Sequence, residues 1–403
     1  MAASGPVTIT ALGAAQILNW GTSFYFPAVL APPIVADTGW PLGWVVGGTS
    51  IGLLVAGLIA PQVGALIDRT GGRPVLAVSS ALFAAGLLGI GLAPSLPAYL
   101  AAWLVLGVGM GSGLYDAVFA ALGKLYGHAA RTPITNLTLF GGFASTVCWP
   151  LSALLAESFG WRGTCLIYAG LHLALALPLQ WAVLPAAPAA RAEPAKDPAA
   201  AAAATAAVTA TAHERLVFAL LALILTIAAG IGSIVVVHLL ILLQARGADL
   251  ALAVALGALF GPAQVGARIV ERLFGARYHP VWTMAASCTL MLAGLALLLS
   301  GFPLLALSIV IYGAGYGIMW IARGTLPLAL FGPDRYARLM GRLALPSLVV
   351  QALAPSAGAL LLDWSGPDAT MATLAALALI NAALMALLWM LWRRQRATRA
   401  DSR

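Results

Sequence analysis

Twelve stretches of this chain are apolar almost without interruption, and each is about the length of helix, ~20 residues, that crosses a hydrocarbon core. They lie near residues 8 to 35, 43 to 67, 74 to 93, 97 to 122, 133 to 157, 161 to 184, 215 to 243, 250 to 273, 280 to 301, 304 to 330, 339 to 362 and 370 to 392. Turn chemistry separates them. Asp37-Thr38-Gly39-Trp40-Pro41 follows the first, Pro94-Ser95-Leu96-Pro97 divides the third from the fourth, and Gly332-Pro333-Asp334 follows the tenth. Trp40, Trp44, Trp161, Trp364, Trp389 and Trp392 stand near span ends, where amphipathic rings prefer the membrane interface.

Between the sixth and seventh spans the pattern lapses. Leu184 to Ala212 is almost wholly Ala, Pro and Thr, a composition that builds no core and marks a linker. The two sides of it echo each other. Gln62-Val63-Gly64-Ala65 recurs as Gln264-Val265-Gly266-Ala267, and Gly107-x-Gly-x-Gly111 as Gly313-x-Gly-x-Gly317, at offsets of 202 and 206 residues. The expected organisation is a six-helix bundle over 1–184, a linker over 185–212, a second six-helix bundle over 213–392 and a basic tail over 393–403. The fold class is all-α, an integral membrane protein of two pseudo-symmetric halves.

Composition agrees. Hydrophobic residues make up 62% of the chain, charged residues 8%, and the mean hydropathy is +0.97, where soluble domains carry roughly 25% charge. The net charge of +8 invites a nucleic-acid reading, but its placement argues against one. Of 21 Lys and Arg, only Arg162 and Arg246 fall on one side of the expected spans, and Arg268 and Arg323 fall inside them. The other seventeen share the opposite side, which the positive-inside rule makes cytoplasmic, with both termini there. Cys148, Cys165 and Cys288 lie in apolar runs and read as packing residues. Met1 to Thr10 lacks the basic start of a secretory leader, so no cleavable signal is expected.

One charged turn carries a family signature. Gly64, Leu66, Asp68, Arg69, Gly71, Arg73 and Leu76 resemble the loop between the second and third helices of major facilitator superfamily transporters, Gly-x-Leu-x-Asp-Arg-x-Gly-Arg-Arg-x-x-Leu. Gly72 departs from that pattern by replacing a basic residue. The resemblance implies twelve spans, a substrate held between rocking halves near the midplane, and a conformational latch formed here. Glu271-Arg272, after the repeated Gln-Val-Gly-Ala, is the expected second half of that latch. An ordinary cytoplasmic turn remains the alternative.

Inside the spans three strong charges remain: Asp116, Arg268 and Arg323. Each sits about 9 Å past its span's midpoint toward the basic end, six residues at 1.5 Å each. A charge in hydrocarbon costs at least ~2.5 kcal/mol, so each needs a partner, a water-filled cavity or a function. Arg323 and Arg268 are the candidates to hold an anionic substrate, and Asp116 is the candidate for a coupling proton or gate. The alternatives are an ion pair between Asp116 and Arg323, snorkelling to the interface, and an Arg268 to Glu271 pair at i, i+3. Gln264-x-x-x-Arg268 resembles the Asp-x-x-x-Arg of monocarboxylate porters, with an amide where the titratable group belongs. Asn19-Trp20-Gly21-Thr22-Ser23-Phe24-Tyr25-Phe26 also resembles bacterial members of that branch, and Gly160-Trp161-Arg162 suits the superfamily. Asn19, Thr22 and Tyr25, three apart, would share one helix face toward the solute, or serve as glue between helices. His238 is either a proton relay or a packing residue.

Other chemistries lack signatures. There is no Gly-x4-Gly-Lys-Ser/Thr loop, no Cys/His metal spacing and no assembled Ser/His/Asp triad, so no ATP-driven, metal or enzymatic function and no cofactor is expected. The fifth span lacks the Gly-Pro-x-x-Gly-Gly of drug antiporters. The sequence therefore points to a monomeric secondary transporter of a bacterial-type inner membrane, moving a small monocarboxylate-like anion by alternating access as a symporter with protons. Its partners would be the solute, protons and lipid. The alternative in the same fold is an exporter of amphipathic compounds.

Overall fold

The computed structural model describes residues 5–186, 211–301 and 303–401. Every regular element among them is a helix, as lipid demands of a chain that must satisfy its backbone within each crossing. Eight stretches are long and apolar enough to cross a membrane. One, Leu96–Val183, turns at Gly127–Ala130 and again at Gly160 and so supplies crossings four to six. Another, Tyr336–Arg396, turns at Gly366 and supplies the last two. The first crossing is divided into Gly5–Gly21 and Phe26–Thr38, neither long enough alone. Together these make twelve crossings in two six-helix halves. The expected linker over 185–212 lies, apart from its ends, outside the described residues.

The duplication is visible in the backbone. Gly160 and Gly366 turn the chain between paired helices with φ of 69° and 79° and ψ of 172° and 174°. They stand 206 residues apart, the offset of the repeated glycine run, and both occupy a region of φ that side chains with a Cβ avoid.

Four crossings that read as continuous in sequence are interrupted part-way. The first breaks at 22–25, where the Thr22 and Ser23 hydroxyls donate to the carbonyls of Leu18 and Asn19 and compete with the helix ladder. Pro27, just beyond, has no N–H to resume it. The fourth breaks at Leu114, which is extended (φ −81°, ψ −174°) between Leu96–Gly113 and Tyr115–Tyr126. The break frees the Gly113 carbonyl, and two side chains of the first crossing satisfy it: Gln16 Nε2 donates at 2.6 Å and Asn19 Nδ2 at 2.9 Å. The fifth is interrupted at Phe143 after two glycines, and the eighth at Leu259 ahead of Pro262. Broken helices that line a cavity are the usual builders of transporter sites.

The halves meet along two seams, the second crossing Leu42–Thr70 on the eleventh, and the fifth on the eighth and on the tenth, Leu305–Phe331. Glycine makes the first seam possible. A Cβ on Gly64 would stand 2.5 Å from the Ala337 carbonyl oxygen, and one on Gly341 would collide with the Ala60 carbonyl. Gly341→Leu should therefore overpack the seam and cost about 1–3 kcal/mol. The check is thermal unfolding of the purified protein, where an unchanged midpoint would show that the seam is not closed.

Candidate functional site

The break in the fourth crossing sets Asp116 in the first turn of a new helix, where the N-terminal end of the dipole favours a carboxylate. From the other half, Arg323 reaches it as a two-pronged fork: Nε to Oδ1 at 2.8 Å and Nη2 to Oδ2 at 2.9 Å. The Arg323 side chain is 2% exposed and that of Asp116 14%. Planar, bidentate and nearly dry, the pair has the geometry in which charge-assisted bonds are strongest. Of the alternatives open from sequence, the ion pair is the one that forms, and it leaves little of the Arg323 fork for a solute.

Arg268 is in a different state. It is 4% exposed and donates Nε to the Gly317 carbonyl at 3.0 Å, Nη1 to the Thr138 carbonyl at 2.8 Å and Nη2 to Gln264 Oε1 at 3.4 Å. These acceptors hold the fork in place but bring no negative charge. Among the described residues no carboxylate pairs with it, because Glu271 accepts instead from Thr283 Oγ1 at 2.7 Å and lies 3.9 Å from Arg131. The i, i+3 pair with Glu271 does not form.

Aromatic rings surround this cation. Tyr115 donates to the same Thr138 carbonyl as Arg268 does, at 3.4 Å. Trp20 of one half meets Trp320 of the other edge-on with centroids 5.6 Å apart, and Tyr115 packs on both at 5.0 and 5.5 Å. The Arg323 guanidinium lies 5.6 Å from the same Trp320 ring. The structure thus brings Asp116 and Arg323 into contact, while Arg268 bonds to neither of them.

Of the two readings of Asn19 and Thr22, the bonds they make fit glue between helices; the helix ladder runs on to Thr22, whose N–H bonds the Leu18 carbonyl at 2.9 Å, and breaks only ahead of Tyr25. Asn19 is fully buried against Gly113, and Thr22 donates to Leu18 and meets His172 Nε2 at 2.8 Å. Both bond inside their own half, and Tyr25 packs near Trp20 and Trp149 with centroids 6.4 and 6.1 Å apart. His238 likewise meets the Pro355 carbonyl at 2.9 Å within its own half and touches none of the buried charges.

At the basic end, Asp68 accepts from Arg338 Nε of the other half at 2.6 Å and lies 3.4 Å from Lys124. Gly71 turns the chain with φ 77°. Arg73 lies over the Trp181 ring at 4.2 Å, and Arg69 is exposed without a partner among the described residues. On the other seam Arg131 donates to the Tyr278 and Gly275 carbonyls, each at 2.6 Å, and Arg272 Nε donates to Asn136 Oδ1. Arg131 and Arg338 thus stand at the starts of the fifth and eleventh crossings and fasten one seam each. All hydrogen bonds and ion pairs shown between the halves lie at the level of Arg268 or nearer this basic end. At the opposite end Arg162 pairs with Asp37, and Arg246 with Asp368, each within one half. The bundle is closed at its basic end.

Several residues of this arrangement carry no local signal. Gln16, Tyr115, Tyr316 and Trp320 look like ordinary span residues, while Arg131 and Arg338 look like two more of the basic-end charges.

Comparison with known proteins decides the family. The model of the Major Facilitator Superfamily matches residues 12–280 and 273–403. The chain belongs to this superfamily. It is a multi-pass membrane protein of a transporter family. Monocarboxylate transporter 11 of Mus musculus is 36% identical over 136 residues, which is 33% of this chain and 29% of that protein. Monocarboxylate transporter 3 of Rattus norvegicus is 32% identical over 142 residues, 34% of this chain and 27% of the relative. The chain thus matches under a third of the length of these relatives. The human organic anion transporter MFSD10 superposes with a TM-score of 0.71 at 17% identity, over 95% of this chain and all of that one. The E. coli fucose:proton symporter FucP does so at 0.69 and 13%, over 95% and 99%. At such identities the superpositions speak for the fold.

Proposed function

We propose that this transporter moves a small organic anion, of the size and charge of a monocarboxylate, by alternating access of its two halves. The observation that carries this reading is Arg268: a cation that is buried, oriented by carbonyls and a glutamine, and met by no carboxylate among the described residues. A charge left unpaired in a membrane interior is expensive, and a substrate carboxylate is the partner that relieves it. Tyr25, Tyr115 and Tyr316 supply hydroxyls around that anion, and Trp20 and Trp320 a wall for its apolar part. The names of the monocarboxylate and organic anion transporters agree with this class of solute.

Asp116 and Arg323 form the gate. A proton on Asp116 removes the negative half of the bidentate pair, so the halves part at the basic end, which the positive-inside count makes cytoplasmic. Gln264 cannot itself titrate, which leaves Asp116 to couple the proton. Gly64, Asp68 and Gly71 with Arg338, and Glu271 and Arg272 with Arg131 and Asn136, fasten the two seams between turnovers; Arg69 and Arg73 serve as basic-end charges of the same turn. The halves over 1–184 and 213–392 rock about the site in a bacterial-type inner membrane with both termini inside.

The aromatic wall supports a second reading, export of amphipathic compounds. Proteoliposomes separate the two. Uptake of small carboxylates driven by an inward proton gradient supports the anion porter. If amphipathic cations move and no carboxylate does, the arginine has no substrate to bind and the proposal falls.

A further inference from the structure

Away from the seam between the halves, the outer faces of crossings nine and twelve leave a groove of about 230 Å³. Trp282, Ala285 and Cys288 of Pro280–Leu299 line one wall, and Ala382, Ala386 and Trp389 line the other. On each helix these positions are three or four apart, so each set forms a stripe along its axis. At 1.5 Å per residue the hollow runs for about 10 Å. The alanines and the cysteine make it hollow, and the two tryptophans, edge to face at 5.5 Å, stand at its basic end. The groove therefore lies within one leaflet, the leaflet next to the arginines.

Those arginines are held in place. The Arg393 guanidinium lies 4.8 Å from the Trp389 ring and that of Arg396 5.1 Å from Trp392, both exposed and neither paired with a carboxylate among the described residues. They are one and two turns beyond the groove, on one face of the helix. His279, packed at 4.7 Å on Trp392, adds no charge, because burial and the nearby Arg131 and Arg396 push its pKa down to about 4. Apolar length ending in two fixed cations matches one molecule of the surrounding solvent, a lipid whose head is an anion.

We propose that this groove binds one anionic phospholipid, with an acyl chain between crossings nine and twelve and its phosphate on Arg393 and Arg396. The test is a titration of the full-length, delipidated protein in detergent, following the thermal unfolding midpoint. Phosphatidylglycerol should raise the midpoint saturably, as a ligand of the folded state does. Phosphatidylcholine with the same chains should raise it no more than a fifth as far, and glycerophosphoglycerol, the head without chains, should do nothing. Two variants divide the site. Ala386→Phe fills the groove and Arg393→Gln/Arg396→Gln removes the cations, and each should raise the half-saturating phosphatidylglycerol concentration at least fivefold. Native mass spectrometry of the wild type in a mixture of both lipids, with one phosphatidylglycerol retained, gives the same answer without a variant. Equal response to both lipids, a response to the head alone, or variants that titrate like the wild type would each overturn the proposal.

Discussion

Arg268→Gln should abolish carboxylate binding while making the empty protein more stable. The two effects have one cause. In the absence of substrate the guanidinium is buried with only neutral acceptors, so the folded state bears an uncompensated charge that glutamine removes. With substrate present the same charge is half of a buried, hydrogen-bonded ion pair, and truncating one side of such a pair costs about 2–5 kcal/mol. That is a loss of at least about 30-fold in affinity at 1.4 kcal/mol per tenfold. Thermal unfolding with and without a transported carboxylate measures both: the apo midpoint rises and the ligand-induced shift disappears. Arg268→Lys keeps the charge and loses the fork, so it should fall between the two. If Arg268→Gln lowered the apo midpoint and kept the shift, Arg268 would be a structural residue and the substrate would lie elsewhere.

The architecture was legible because lipid makes a strong demand on sequence. Apolar runs, reversing glycines and the offset of the repeat gave twelve crossings in two halves. The three charges left inside the spans share a depth that allows contact, and Asp116 and Arg323 do meet. What was hidden depends on residues far apart in the chain. The break at Leu114 is stabilised from the first crossing by Gln16 and Asn19, 97 and 94 residues from the carbonyl they bond, and no local pattern announces it. The choice between a solute face and glue for Asn19 and Thr22 rests on Gly113 and His172, 94 and 150 residues away, which no local spacing shows. Arg338 fell within a crowd of basic-end arginines that the positive-inside rule already explains. Which arginine lacks a carboxylate is a property of packing, and only the structure distinguishes Arg268 from Arg323.

The gate makes the second large prediction. Asp116→Asn leaves Arg323 buried at 2% exposure with its counter-charge gone, a change that costs about 3–5 kcal/mol in the closed state. Removing Arg323 as well takes away the orphan cation, so Asp116→Asn/Arg323→Gln should recover most of the loss. That sign reversal is what an ion pair predicts and two independent packing residues do not. Closure between the halves provides a direct readout. Ile134 is fully buried at the basic end, within contact distance of Gly324 across the seam. In a background with Cys148, Cys165 and Cys288 replaced by alanine, Ile134→Cys should label slowly with an impermeant maleimide. It should label at least tenfold faster with Asp116→Asn, and at close to the original rate in the double variant. The neutral asparagine stands for the protonated carboxylate, so faster labelling of the parent at low pH would tie the same opening to the proton. Equal labelling in all three proteins would mean that the pair holds the fold together without gating it, and the proton would have to couple elsewhere.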